Sequence, residues 1–160
     1  MEIERKFLIK NIPDNLNSFN KREIEQAYLC SNPVVRIRRD NDDYYLTYKS
    51  KGHIAREEYN LPLTKDAYEH LLGKADGIII SKNRYELPEK DGLTIELDEF
   101  LGEYKGLWLA EVEFESLEQA ESYIPPDWFS DDVSMDKRYK NNQMAMGFAD
   151  NIIGAVKKQP

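Results

Sequence analysis

Polar and apolar side chains alternate along the first part of the chain with a period of two, which is typical of strands with two different faces. The first such segment places Glu2, Glu4 and Lys6 on one face. Runs of turn residues, including Ser-Asn-Pro and Asp-Asn-Asp-Asp, interrupt the pattern. The alternation therefore predicts five consecutive strands, over residues 2–9, 22–30, 34–39, 44–51 and 54–61.

Helical spacing first appears over residues 64–74, with Thr64 as the N-cap. The same two periodicities predict three more strands, over 77–87, 93–100 and 107–115, and two more helices, over 117–123 and 141–157. About eight strands with few helices predict a mostly β fold with flanking helices (α+β). An antiparallel sheet of this size is expected to close, or nearly close, into an eight-stranded β-barrel.

Length and composition exclude several classes of protein. The 160 residues contain no linker or repeat, which predicts one domain over residues 1–160. The single cysteine, Cys30, excludes an internal disulfide framework and favours a reducing cytoplasm. No apolar run approaches the ~18 residues of a membrane span, so no membrane partner is expected. The net charge of -8 disfavours a nucleic-acid partner, and a homodimer is left open.

The distribution of charge changes this picture, because the polar face of nearly every predicted strand is ionic. The basic faces hold Arg36 and Arg38, Lys49 and Lys51, and Lys82 and Arg84; the acidic faces hold Glu2 and Glu4, Glu96 and Asp98, and Glu111, Glu113 and Glu115. If the sheet closes with these faces inward, its interior is a polar tunnel with room for a small ligand. If they point outward, they form a solvated surface. The alternation alone permits both interpretations.

Eight short motifs carry a family resemblance. They are EIERKF at 2–7, VRIRR at 35–39, LTYKSKG at 46–52, REEYNLP at 56–62, KNRYEL at 82–87, IELDEF at 95–100, AEVEFE at 110–115 and DKRYKN at 136–141. In this order they resemble the CYTH family, also called triphosphate tunnel metalloenzymes. The resemblance implies an eight-stranded antiparallel barrel forming a closed polar tunnel, which binds a triphosphate-bearing substrate with Mg²⁺ or Mn²⁺. The chain is most similar to short bacterial members, which implies hydrolysis of inorganic triphosphate to pyrophosphate and phosphate.

Other functions remain compatible with the same motifs. A class IV adenylate cyclase, or a nucleoside or thiamine triphosphatase, would use a similar tunnel. The absence of a separate nucleoside-binding signature disfavours the cyclase. A module that binds polyphosphate without catalysis is a third alternative. The carboxylates argue against it, because anion binding alone would not benefit from them.

A triphosphate requires guanidinium and ammonium groups in a confined space. The candidate substrate-binding residues are Lys6, Arg36, Arg38, Lys49, Lys51, Lys82, Arg84 and Arg138. Arg56 is in phase with Glu58 and can pair with it instead. A hard divalent ion takes carboxylate oxygens. By the resemblance, the metal-site residues are Glu2, Glu4, Glu111 and Glu113, with Glu96 and Asp98 near a second metal or the attacking water.

The expected reaction is in-line attack by a metal-activated water, without a covalent enzyme intermediate. The candidate catalytic residues are Tyr28, Lys6, Lys49 and Lys82. The resemblance draws attention to Tyr28 through the sequence Gln26-x-Tyr28. A phenol with the ordinary pKa of about 10 is a poor base unless nearby cations lower that pKa, and the alternative is a packing or hydrogen-bonding role. A lysine can serve as the base if mutual repulsion lowers its pKa.

The chain departs from the family pattern at three positions. Asn60 stands where many members carry a second glutamate after Glu58, so a metal or water contact expected there is not supported. Met135 stands where a glycine commonly precedes Asp136, and Lys140 replaces a usual small residue. The last two changes affect the loop that carries Asp136 and Arg138.

Overall fold

The computed structural model describes residues 2–51 and 57–147, and the part of the chain that it describes contains nine strands. They are β1 (Ile3–Ile9), β2 (Asn20–Ser31), β3 (Val34–Asp40), β4 (Asp43–Lys49), β5 (Glu58–Pro62), β6 (Asp76–Pro88), β7 (Thr94–Leu101), β8 (Trp108–Phe114) and β9 (Phe129–Asp132). The α-helices are α1 (Lys65–Leu72), α2 (Leu117–Ser122) and α3 (Asn141–Ala145). The predicted fold class, mostly antiparallel β-structure with few helices, is confirmed.

All nine strands belong to one antiparallel sheet in the order β5-β4-β3-β2-β6-β7-β8-β1-β9. Two features of the predicted barrel need correction. β9 adds a ninth strand beside β1, and among the described residues the edge strands β5 and β9 do not pair with each other. Both edges are short, and β5 ends at Pro62, which has no amide hydrogen to extend a ladder.

Although its hydrogen-bond ladder is open, the sheet curls until strands near its two edges meet. The ammonium group of Lys49 on β4 lies 3.7 Å from the carboxylate of Glu2, which immediately precedes β1. Five strands separate β4 from β1 in the order of the sheet. The ion pair therefore spans the interior, and the ionic strand faces are turned toward one another.

The apolar face of the sheet points outward and is covered at two places. α1 follows Thr64, whose hydroxyl accepts a hydrogen bond from the backbone of the helix, and packs Tyr68 against Ile37. α2 packs Ala120 into a second cluster that contains Phe7. Both helices lie where helical spacing predicts them. They shield the apolar face of the sheet from water.

At one end of the interior, the inward face of the sheet changes from charged to apolar. The segment after β9 packs there, and two polar contacts fasten it: the Lys6 ammonium donates to the carbonyl of Tyr139 at 2.8 Å, and the Tyr104 hydroxyl donates to the carbonyl of Met144 at 2.6 Å. The resulting cluster contains Leu8, Tyr28, Val34, Ile80, Phe100, Leu109, Val133, Tyr139, Met144 and Ala145. Residues 133–145 thus form an apolar floor beneath the charged part of the interior.

Two predicted elements extend beyond the described residues. The predicted closing helix over 141–157 corresponds to α3, which ends at Ala145. Positions 148–157 of the prediction lie outside the described residues. The predicted strand over 54–61 is described from Glu58 onward as β5. β9 was not predicted, because its sequence Phe-Ser-Asp-Asp has a single apolar residue. Within the described ranges, no helix has the length and apolar character needed to cross a membrane.

Candidate active site

The curled sheet encloses a cavity of about 590 Å³ that is lined by equal numbers of cationic and anionic side chains. The cations are Lys6, Arg36, Arg38, Lys49, Arg84 and Lys140, and the anions are Glu2, Glu4, Glu58, Glu96, Glu111 and Glu113. The strand faces that alternation marks as ionic therefore line an interior instead of forming a solvated surface. A cavity of this size can hold a small anion together with a metal ion.

The arginines of β3 form the cationic side of this cavity. Arg36 and Arg38 are two residues apart and share one strand face. Arg36 donates to the hydroxyl of Thr47 at 3.2 Å, and the Nε of Arg38 donates to the side-chain carbonyl of Gln26 at 2.8 Å. Burial, followed by repulsion from Arg38, lowers the pKa of Arg36. The pair thus holds concentrated positive charge.

Arg84, on β6, is surrounded by carboxylates. Its Nε and Nη2 donate to Asp98 at 2.8 and 2.9 Å, its Nη1 lies 3.0 Å from Glu96, and the same Nη2 lies 3.5 Å from Glu111. The buried ammonium of Lys82 lies 2.9 Å from Asp98. Although burial opposes them, Arg84 and Lys82 hold the pKa of Asp98 well below its usual range. The positive charge of Arg84 is therefore compensated within the wall.

Lys82, a candidate for substrate binding and catalysis, and Asp98, predicted near a second metal or the attacking water, lie behind the cavity lining. Both are almost completely buried, with 1% of their surface exposed. Burial lowers the pKa of Lys82 to about 8, and the negative charge of Asp98 opposes this decrease. Desolvation therefore lowers the pKa more than repulsion from neighbouring cations, the cause that the sequence suggests, does. At neutral pH the ammonium keeps its proton. Within the wall, Asp98 holds Arg84, and Lys82 lies against the same carboxylate.

Carboxylates form the opposite side of the cavity, and five of the six predicted metal-site residues are among them: Glu2, Glu4, Glu96, Glu111 and Glu113. Desolvation inside the cavity, followed by the charge of Glu111, raises the pKa of Glu4 to about 7. A cation would relieve this electrostatic cost, and carboxylate oxygens suit a hard divalent ion. The donor set therefore fits such an ion. Within residues 2–51 and 57–147, no group of three acidic, histidine or cysteine side chains is arranged closely enough to bind a metal ion without a change in side-chain positions.

Lys6 and Tyr28 lie where the charged cavity meets its apolar floor. The Lys6 ammonium is 3.3 Å from Glu111, in addition to its hydrogen bond to the floor. Burial raises the pKa of Tyr28, and Arg36 offsets only part of that effect. The phenol keeps its proton at neutral pH, which favours the hydrogen-bonding alternative over a role as base.

Two more predicted cations, Lys51 and Arg138, do not line the cavity in the described part of the chain. Lys51 is exposed beyond the end of β4. Arg138 is exposed and pairs with Asp136 at 2.6 Å. Arg56 lies outside the described residues. The segment that carries Arg138 nevertheless reaches the cavity through the residues that follow it.

The lining also contains residues that sequence reasoning did not assign to the site: Val34, Tyr45, Glu58, Asn60, Lys140, Asn141 and Asn142. Tyr45 and Asn60 could have been found, because they are in phase with the inward-facing Lys49 and Glu58 on their strands. Lys140 and the two asparagines belong to the floor segment. No strand or helix periodicity there indicates which side chains face the cavity.

Comparisons with known proteins agree with this arrangement. The CYTH domain family matches residues 1–133. An inorganic triphosphatase of Nitrosomonas europaea is 38% identical over 148 residues, which cover 91% of this chain and 97% of that protein. An inorganic triphosphatase of Acetivibrio thermocellus is 35% identical over 148 residues, covering 89% and 92%. The crystal structure of an inorganic triphosphatase has a TM-score of 0.75 and 36% identity, covering 92% of this chain and 95% of that one.

Proposed function

The chain belongs to the CYTH domain family, and we propose that it hydrolyses inorganic triphosphate to pyrophosphate and phosphate with the help of Mg²⁺ or Mn²⁺. The names of two relatives, at 38% and 35% identity, support this substrate. The observation that carries the proposal is one cavity with arginines on one side and carboxylates on the other. A polyanion and a divalent cation are the two ligands that such a cavity suits together.

In this proposal the cationic side holds the phosphoryl oxygens. Arg36 and Arg38 offer planar guanidinium groups that can donate two hydrogen bonds to one phosphoryl group. Lys49 and Lys140 add point charges from neighbouring parts of the lining. Confinement between these groups orients the chain of three phosphates and spreads their negative charge over several donors.

Glu2, Glu4, Glu111 and Glu113 would hold the divalent cation, with Glu96 beside them. When bound, such a cation neutralises charge on phosphoryl oxygens and makes a bound water more acidic. Asp98 is not included in this set, because Arg84 and Lys82 already occupy its carboxylate. Its role in the proposal is to fix Arg84, which in turn lies beside Glu96 and Glu111.

The proposed reaction forms a bond from a water oxygen to the terminal phosphorus and breaks the bond from that phosphorus to the bridging oxygen. The proton that the water loses passes to a phosphate oxygen of the products. Tyr28, which lines the cavity and keeps its proton, would hold the water or a phosphoryl oxygen by a hydrogen bond. Lys6 and Lys49 would act as cations beside the carboxylates of Glu111 and Glu2. Positioning and charge neutralisation then supply most of the catalysis.

The proposal is tested by measuring phosphate release from inorganic triphosphate, ATP and thiamine triphosphate with Mg²⁺ or Mn²⁺, together with an assay for cyclic AMP. We expect inorganic triphosphate to be hydrolysed fastest and chelation of the metal to stop the reaction. Glu113→Gln should abolish turnover while leaving the circular dichroism spectrum unchanged. Preferred hydrolysis of ATP or thiamine triphosphate, or formation of cyclic AMP, would replace this proposal by the corresponding alternative. An absence of turnover with either metal would refute it.

A further inference from the structure

The cationic side chains of the cavity differ in whether a carboxylate lies close to them. Arg84 contacts three carboxylates, Lys6 lies near Glu111, and Lys49 lies near Glu2. In contrast, among the described residues no carboxylate lies within 4.0 Å of the nitrogens of Arg36 or Arg38. The two arginines of β3 are thus ordered without being neutralised.

Arg38 is ordered by Gln26, its direct cross-strand neighbour on β2. The Nε and one terminal nitrogen of Arg38 both donate to the single side-chain carbonyl of Gln26, at 2.8 and 2.5 Å. Gln26 has no exposed surface, so its position is fixed by packing. A guanidinium group has only hydrogen-bond donors, and the Gln26 side chain accepts from it through an uncharged carbonyl oxygen.

Arg36 is ordered by a relay across three strands. It lies directly opposite Thr47 on β4, and Thr47 lies directly opposite Asn60 on β5. The terminal nitrogen of Arg36 donates to the Thr47 hydroxyl at 3.2 Å, and that hydroxyl donates to the side-chain carbonyl of Asn60 at 2.6 Å. The relay also ends on a neutral amide, at the position where the family resemblance leads one to expect a glutamate.

We propose that Gln26 and the Thr47–Asn60 pair are positioning residues that fix Arg38 and Arg36 with neutral acceptors, so that the full charge of both guanidinium groups is directed at the polyanion. This inference rests on the proposed function for the identity of the anion. A carboxylate at Gln26 would keep the hydrogen bonds but neutralise Arg38 directly, as Asp98 neutralises Arg84. A carboxylate at Asn60 would act on Arg36 through Thr47. The side-chain amides of Gln26 and Asn60 therefore make Arg38 and Arg36 the part of the cavity that binds the anion most strongly.

The test measures binding of inorganic tripolyphosphate by calorimetry in the presence of a chelator, where no metal-dependent turnover occurs. Gln26→Glu and, separately, Asn60→Asp are nearly isosteric; the first adds a negative charge against Arg38, and the second adds one at the end of the relay to Arg36. We expect Gln26→Glu to weaken binding about tenfold or more, since a charged acceptor interacts much more strongly with guanidinium than a neutral one. Asn60→Asp should weaken binding severalfold, because Thr47 stands between its side chain and Arg36. Gln119→Glu on α2, outside the cavity lining, makes the same change in net charge and should alter affinity less than twofold.

Kinetic measurements separate positioning from a merely structural role. In the presence of metal, both acidic variants should raise KM more than they lower kcat, and raising the concentration of inorganic tripolyphosphate should restore most of the rate. Unfolding temperatures close to that of the wild-type protein would show that the fold is kept. Asn60 is exposed to the cavity, so Asn60→Asp remains informative if the buried substitution at Gln26 prevents folding.

The outcomes distinguish this inference from the proposed function. If Gln26→Glu and Asn60→Asp bind tripolyphosphate as tightly as wild type, the inference is overturned even if the wild-type protein hydrolyses it. A wild-type protein that binds no tripolyphosphate in chelator also overturns it, because uncompensated arginines must attract the anion by themselves. Tight binding that the two variants weaken, without any hydrolysis by wild type, would uphold the inference and reject the proposed function.

Discussion

Single residues in the cavity wall differ in whether their charge is available to a ligand. Arg84 and Arg38 both line the cavity and both donate two hydrogen bonds to one side chain. The partner of Arg84 is the carboxylate of Asp98, whereas the partner of Arg38 is an amide. The first arrangement stabilises the wall, and the second leaves charge for the anion. Residue type alone does not separate these two arginines, because the sequence presents both as in-phase cations.

Asp98 should be a major contributor to stability. Asp98→Asn removes the negative charge between two buried cations, and breaking a buried ion pair of this kind typically costs about 3–5 kcal/mol. We expect a loss of that order in the free energy of unfolding, measured by urea denaturation. The exposed pair of Lys65 and Glu69 provides a control, since Glu69→Gln should change stability by less than about 1 kcal/mol. Equal effects of the two substitutions would contradict the structural role of Asp98.

Glu86 gives a prediction for the pH dependence of stability. A hydrogen bond from Arg22 at 2.7 Å lowers the pKa of Glu86, so its ionised form stabilises the fold. That contribution is present above the ordinary glutamate pKa and is lost as the pH falls through the lowered value. Glu86→Gln should therefore reduce the free energy of unfolding at pH 7 by about 0.5–1 kcal/mol, and the difference from wild type should shrink on acidification.

Urea denaturation at a series of pH values between 7 and 3 measures this difference. Glu23→Gln alters an exposed carboxylate of the strand that carries Arg22 and serves as the control. A Glu86→Gln difference that stays constant over the whole series would show that the ion pair with Arg22 is not its source.

Elements of the structure follow from local sequence wherever one face is apolar and the other is not. β1 to β8 appear within a few residues of their predicted positions, and Thr64 and Ser116 cap α1 and α2. β9 escaped prediction because its pairing with β1, and not its own pattern, makes it a strand. The contact of α3 with β6 is likewise a tertiary feature, since it depends on the absence of a side chain at Gly77.

Gly77→Ala should disturb the floor of the cavity. A methyl group at this position would overlap the carbonyl oxygen of Ala145, and the backbone has φ of +72°, which favours glycine. Gly102→Ala is the matched control, because Gly102 has φ of +62° and an added methyl group there meets nothing within 4 Å. The control should lose about 1–2 kcal/mol from backbone strain.

Because the floor segment must shift, Gly77→Ala should lose a further 1 kcal/mol or more, in the range of about 1–3 kcal/mol found for overpacked sites. Urea denaturation of both variants provides the comparison. If Gly77→Ala is no less stable than Gly102→Ala, the tight contact between α3 and β6 does not contribute to stability.

Over the whole molecule, the net charge of -8 hides a cavity whose lining has as many cations as anions. The negative excess lies outside that lining, so the overall charge does not describe what a ligand meets inside. The curl of the sheet produces this separation by bringing the basic faces of β3 and β4 opposite the acidic faces of β1 and β8. A single domain over residues 1–160 and a cytoplasmic location stay predictions.

The sequence by itself determined which residues share a strand face, because side chains alternate with a period of two whatever the rest of the chain does. It therefore predicted most of the cavity lining, including Arg36, Arg38, Glu4 and Glu111. Only the tertiary structure decided which of these charges are compensated. That depends on cross-strand register and depth, which bring Asp98 to Arg84 but bring Gln26 to Arg38. The floor segment and the open edges were also decided at this level, since both depend on contacts between residues far apart in sequence.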